Sequence, residues 1–174
     1  VIGPEVDEAW ADPGAALGPA EGNAFDVYSL GRGGSITLGF ADAIADGPGV
    51  DFAVYENSFS PTFLELGYVE VSSDGATFAR FDVSTEVGEP VAAYGEMDPT
   101  RLSGFAGLYA QGWGTPFDLA SLKAHAEVRG GAVDLSDIRF VRIVDVVGDG
   151  SETDSLGRPI YDPYPTVGSA GFDL

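Results

Sequence analysis

The run DVVGDGSETDSLG, from Asp145 to Gly157, places four carboxylates within ten residues: Asp145, Asp149, Glu152 and Asp154. Acids interleaved with glycine suit a hard cation. Calcium takes six to eight oxygens at roughly 2.3–2.6 Å, from carboxylates, backbone carbonyls and water. The spacing is not that of an EF-hand, because Asp149-Gly150-Ser151 is followed by Glu152 and Asp154 rather than by a distant bidentate glutamate. A second acid-and-glycine turn, DGPGVD, offers Asp46 and Asp51. The competing reading of both stretches is a solvated acidic turn.

Strand alternation sharpens the choice. In DFAVYEN, Phe52, Val54 and Glu56 fall on one face, and Asp51, Ala53 and Tyr55 on the other. In IRFVRIVD, Val141, Ile143 and Asp145 share a face. If the apolar members face the core, Glu56 and Asp145 are core-side acids at strand ends. A buried carboxylate is costly unless it is paired or bound to metal. Glu56 and Asp145 are therefore the expected centre of a calcium site, joined by Asn57 and Asp173, with Asp46, Asp51 and Asp149 as further metal candidates.

Other chemistry finds less support. His125 is the only histidine, lies between Lys123 and Glu127 in an expected helix, and has no nucleophile-elbow context. Paired carboxylates can hydrolyse glycosides, but among 28 acids some pair always qualifies. GRGG precedes a strand rather than a helix, so it reads as a turn and not as a phosphate cradle. Tyr94, Phe105, Tyr109, Trp113 and Phe117 lie in or near glycine-rich loops, where aromatics either fill the core or stack on sugar faces. Trp113, in QGWGTP, is the leading ligand-facing aromatic, with Tyr109 beside it and Arg101 as a polar helper.

Composition restricts the partners. The net charge is −20, and only Lys123 and seven arginines oppose the acids. There is no basic footprint for nucleic acid or for an anionic membrane surface. No apolar run reaches membrane-spanning length. With no cysteine, thiolate metal sites and disulfides drop out. The chain begins at Val1 without methionine, which reads as a processed piece whose export signal has been removed.

The elements that must position the acids are strands. With 25 glycines and 11 prolines, turns outweigh long helices. An irregular lead-in over 1–24 precedes a single domain over 25–174. Strands are expected at FDVYSL (25–30), SITLGF (35–40) and DFAVYENSF (51–59). A hairpin is expected over 67–83 around Asp74-Gly75. One short helix is expected over 117–128, capped by Asp118, with Leu119, Leu122 and Ala126 as its stripe. IRFVRIVDVV (138–147) reads as a buried central strand, and GFDL as the start of a further one. The expected fold is all-β: a single antiparallel β-sandwich, jelly-roll-like, with one short helix.

SLGRGGSITLGF, DGPGVDFAVYENSF, VEVSSDGATFARF, IRFVRIVDV and a terminal GFDL occur in that order. This set resembles a family of bacterial secreted or cell-surface β-sandwich proteins. The hairpin and the FVRI strand also resemble galactose-binding-like (discoidin-type) jelly rolls. The resemblance spans roughly residues 14–174 and implies a secreted or surface location and bound calcium. The expected function is non-catalytic calcium-dependent binding, with a glycan or cell-surface partner as ligand. The alternatives are a structural or adhesive module in which calcium only stiffens loops, and a polysaccharide-acting enzyme.

Overall fold

The computed structural model describes residues 1–20 and 25–174. The last four residues of the expected lead-in, 21–24, lie outside the described residues. Residues 1–20 are irregular, with two short 3-10 turns at Glu8–Trp10 and Pro13–Ala16.

The fold is all-β. Its strands are β1 (Ser35–Ile44), β2 (Phe52–Val54), β3 (Gly67–Ser72), β4 (Ala79–Arg80), β5 (Ser84–Thr85), β6 (Val91–Ala92), β7 (Leu102–Ser103), β8 (Thr115–Phe117), β9 (Ile138–Asp145), β10 (Asp149–Thr153), β11 (Pro159–Tyr161) and β12 (Pro163–Tyr164). One antiparallel sheet runs β1-β9-β3-β4, and the other strands form two-stranded ladders β2-β8, β5-β7, β6-β12 and β10-β11. The β6-β12 ladder is parallel, which departs from the antiparallel expectation.

β9 is the central strand that its β-branched run predicts. Val141 and Ile143 join a core that includes Val69, Val71, Phe81 and Phe117. The opposite side of the sheet packs Tyr68 and Val144 against Leu66, Phe105, Val146 and Ile160. Every residue of β3 is buried. A sheet covered on both faces needs continuous rather than alternating apolar sequence.

Two expectations need correction. FDVYSL is not a regular strand; Ser29 instead forms an isolated bridge to Asp173. Tyr28 and Leu174 exchange two backbone hydrogen bonds, at 2.8 and 3.0 Å, and Leu30 N donates to Phe172 O at 2.9 Å. The helix over 117–128 is two short pieces, a 3-10 turn at Leu119–Ala124 and α1 (Ala126–Arg129), broken by an extended His125. Asp118 caps the first piece as expected, Leu119 and Leu122 are buried, and Ala126 is exposed rather than part of the stripe. The hairpin over β3 and β4 forms, with a loop wider than a two-residue turn. Asp74 stabilises that loop by accepting from Ala76 N and Thr77 N, both at 2.8 Å.

Candidate carboxylate site beneath the C-terminal segment

Among the described residues seven carboxylates are buried; Glu70 and Asp154 pair with arginines, and Glu56, Glu65, Asp145, Asp162 and Asp173 do not. Strand geometry puts them there. Val54 and Glu56 are both buried while Ala53 and Tyr55 are exposed, so the alternation read from DFAVYEN continues past the end of β2. Asp145 ends β9 on the face of Val141 and Ile143, all three buried. Asp162 follows β11, and Glu65 precedes β3. Asp173 sits in the extended C-terminal segment, whose backbone oxygen at 173 accepts from Asn57 N at 3.2 Å.

The backbone satisfies some of these oxygens. Asp145 accepts from Gly33 N and Phe172 N, each at 2.8 Å. Asp162 accepts from Leu66 N at 3.1 Å, and Glu56 from Ser58 N at 2.7 Å. Two glycines allow the close approach. A Cβ at Gly148 would fall 1.6 Å from Asp162 Oδ1, and one at Gly171 would fall 2.5 Å from Asp145 Oδ1. Both have positive φ, +74° and +70°, which an L side chain resists.

Glu65 Oε1 and Asp173 Oδ1 are different: both are buried without a hydrogen-bond partner. No ion pair among the described residues serves any of the five acids. Arg32 pairs with Glu5, Arg80 and Arg142 with Glu70, Lys123 with Asp46, Arg139 with Asp137, and Arg158 with Asp154.

Their protonation equilibria record the same strain. Burial pushes Asp145 from 3.8 up to about 7; the two backbone donors oppose this, while Glu152 and Asp173 add to it. Burial also lifts Asp173 to about 7, with Ser29 and Ser169 pulling it partly back. Glu56 is raised well above the usual carboxylate range by burial and then by Asp173. Glu65 is raised by burial, then by Asp173, Glu56 and Asp162. Asp162 is raised by burial and then by Asp145. The acids thus form a continuous chain of mutual repulsion from Glu56 through Asp173, Glu65 and Asp162 to Asp145.

Two spaces adjoin this chain. A cavity of about 10 Å³ is lined by Glu65, Asp145, Asp162 and Thr166, with the Glu5–Arg32 pair also bordering it. That volume suits one water-sized guest. A larger groove of about 710 Å³ is lined by Glu56, Asn57, Gln111 and Asp173 together with apolar residues such as Phe40 and Phe52. Asn57 positions this corner: its side-chain oxygen accepts from Gln111 Nε2 at 2.8 Å.

Asp173 is electrostatically linked to both Glu56 and Asp145, but the expected pair does not line one space: Glu56 and Asp173 line the groove and Asp145 the small cavity. Asp149 does not join them. It is exposed, bonds Ser151 N at 2.8 Å, and that serine holds it below its usual value. The stretch 145–155 contains strand β10, whose residues are exposed or half-exposed. Asp154 is buried there as a satisfied anchor. Burial alone would raise it, but donors from Arg158, Thr85 and Leu156 outweigh that and hold it at about 2.

Asp46 and Asp51 form a separate cluster with Asp118. These are, among the described residues, the three acids whose oxygens all lie within 4.8 Å of one another. Much of their capacity is taken, although Asp46 Oδ1 is, like Glu65 Oε1 and Asp173 Oδ1, buried without a hydrogen-bond partner. Lys123 Nζ reaches Asp46 at 2.7 Å, Asp51 accepts from Gly47 N at 2.7 Å and Leu119 N at 2.8 Å, and Asp118 caps Ala120 N at 2.8 Å.

The aromatic candidates divide. Trp113 is 74% exposed and Tyr109 is 49% exposed, in the loop before β8, whereas Phe105 and Phe117 belong to the core. Tyr94 is exposed and stacks at 6.0 Å on Phe63. Arg101 is committed to the Glu86 carbonyl.

Sequence reasoning missed Glu65, Asp162 and Asp118. Glu65 carried a signal: FLELGY sets one acid inside an apolar run with no basic residue nearby. Asp118 read only as a helix cap. Comparison of the chain with family models, with curated proteins and with solved structures finds no match.

Proposed function

We propose that this chain is a non-catalytic, calcium-binding β module of a bacterial secreted or cell-surface protein, with carbohydrate as its outer ligand. One observation carries the cation: Glu65 Oε1 and Asp173 Oδ1 are buried without partners among five buried carboxylates that no ion pair of the described residues serves. Leaving charge there uncompensated is expensive. The available donors are all oxygen, which selects a hard cation, and an irregular carboxylate set suits calcium better than the strict octahedron of magnesium. The resemblance to galactose-binding-like jelly rolls points the same way. Carbohydrate is supported by Trp113 and Tyr109, which present aromatic surface to solvent from one glycine-rich loop.

The test is thermal unfolding of metal-free protein, titrated with calcium and separately with magnesium. At a free calcium concentration of about 100 times Kd, mass action adds about 2.7 kcal/mol. For a domain of this size that raises the midpoint by roughly 5–10 °C. An unchanged midpoint at millimolar calcium contradicts the proposal. A glycan array probed with the calcium-loaded protein tests the outer ligand.

A structural or adhesive role is the second reading. It is favoured by the way Asp145 and Asp173 tie residues 170–174 to the body of the fold, through Phe172 N and the Ser29 bridge. A calcium-dependent midpoint with no glycan bound would select it.

A further inference from the structure

The sheet face that packs the main core is not covered along its whole length. Ile36, Leu38 and Phe40 alternate on one side of β1, with Ile36 opposite Ile143 and Leu38 opposite Val141 on β9. Their exposure grows along the strand: Ile36 is buried, Leu38 half-buried and Phe40 40% exposed. The groove of about 710 Å³ opens over this face and is bordered also by Phe52 and Val54 of β2. Its volume falls in the range of small-molecule sites, about 300–1,000 Å³. Where β2 runs out, the apolar wall gives way to Glu56 and Asp173. Asn57 N donates to Asp173 O at 3.2 Å, which sets the segments of the two acids side by side. Asp173 is 6% exposed, and its Oδ1 has no hydrogen-bond partner. Asp26 also borders the groove, and among the described residues no lysine, arginine or histidine does.

We infer that this groove binds a small amphiphilic amine, its ammonium head donating to Asp173 Oδ1 beside Glu56 and its apolar body lying over Leu38, Phe40 and Phe52. Charge decides the head. A groove bordered by three acids and no base attracts a cation and repels a carboxylate. The wall decides the body. A bare ion would leave the exposed part of this apolar face in water, whereas a hydrocarbon chain removes it. The head fits the acceptors. An alkylammonium carries three donors and no acceptor. One donor meets Asp173 Oδ1, and the Glu56 carboxylate and solvent at the open side take the others. Such a head supplies the partner that a buried carboxylate oxygen otherwise lacks, which is worth more in a site shielded from water than at the surface. The inference goes beyond the calcium reading and does not need it, because Glu65 Oε1, in the separate small cavity, remains for calcium.

The experiment is calorimetric titration of octylamine, 1-octanol, octanoate and ethylamine into the protein, at physiological salt and with a calcium chelator present. Octylamine should bind at a single site, at least about tenfold more tightly than 1-octanol. Octanoate, with the wrong charge, and ethylamine, with the head but no body, should not bind. Asp173→Asn keeps the side chain's shape and should bring octylamine down to the affinity of 1-octanol, with 1-octanol itself unchanged. Should Asp173→Asn fail to fold, the wild-type comparison and Glu56→Gln still decide, the latter weakening octylamine and sparing 1-octanol. Equal affinity of wild type for octylamine and 1-octanol overturns the ammonium site. So does octylamine bound at many sites, bound equally by Asp173→Asn, or not bound at all. The chelator keeps these outcomes apart from the calcium reading, which the calcium titration of amine-free protein tests by itself.

Discussion

Raising the pH of the metal-free protein should destabilise it from within. Asp145 is lifted from 3.8 to about 7 by burial, so between these values the folded chain holds a proton that the unfolded chain has lost. Folded protein then binds more protons than unfolded, and stability falls as pH rises. The contribution is complete below about pH 4 and gone once pH passes about 7. A displacement of that size corresponds to about 4 kcal/mol. Asp173 moves in the same window and itself helps to raise Asp145, so their contributions do not add in full. Metal-free protein should therefore lose about 3 kcal/mol between pH 5 and pH 8 in urea unfolding followed by circular dichroism. Calcium should cancel that loss, because it binds the ionised carboxylates, and its stabilising effect should be small at pH 5 and large at pH 8. Asp145→Asn should flatten the pH dependence and, without calcium, be more stable than wild type at pH 8. Metal-free stability that stays level or rises over this interval would refute the reasoning.

Three further outcomes follow from the same packing. Asp154→Ala strands the Thr85, Leu156 and Arg158 amides and the Arg158 guanidinium, and should cost about 3 kcal/mol or more by urea unfolding at pH 7, with calcium binding retained. Gly148→Ala sets a methyl against Asp162 Oδ1 at a φ of +74°, so calorimetric titration should show weakened calcium binding together with at least about 1–2 kcal/mol of destabilisation. Trp113→Ala removes an exposed ring, so stability should change by less than about 0.5 kcal/mol while glycan binding is lost on the array.

The sequence carried the alternation of single strands well and the meeting of distant strands poorly. DFAVYEN and IRFVRIVD each disclosed a core-side acid, because side-chain period depends only on local backbone geometry. The continuous apolar run of β9 likewise announced a strand covered on both faces. Asp162 and Glu65 stayed hidden because each belongs to a short segment next to a strand, where alternation has too few residues to read. The helix broke at His125, whose extended backbone no local propensity in FDLASLKAHAEV announces. Asp149 and Asp154 looked alike in sequence, yet one is an exposed acid at the start of β10 and the other a buried anchor. Arg158, four residues on, makes the difference by pairing with Asp154 at 2.8 Å.

The most direct test of the calcium site is a crystal structure of protein grown in calcium, with anomalous difference density collected to locate the ion. Calcium bound at Glu65 or Asp173 within the buried carboxylate group, with oxygens at about 2.3–2.6 Å, is the predicted result. Calcium found only at Asp46, Asp51 and Asp118, with the buried carboxylates hydrogen-bonded to one another through shared protons, would contradict it.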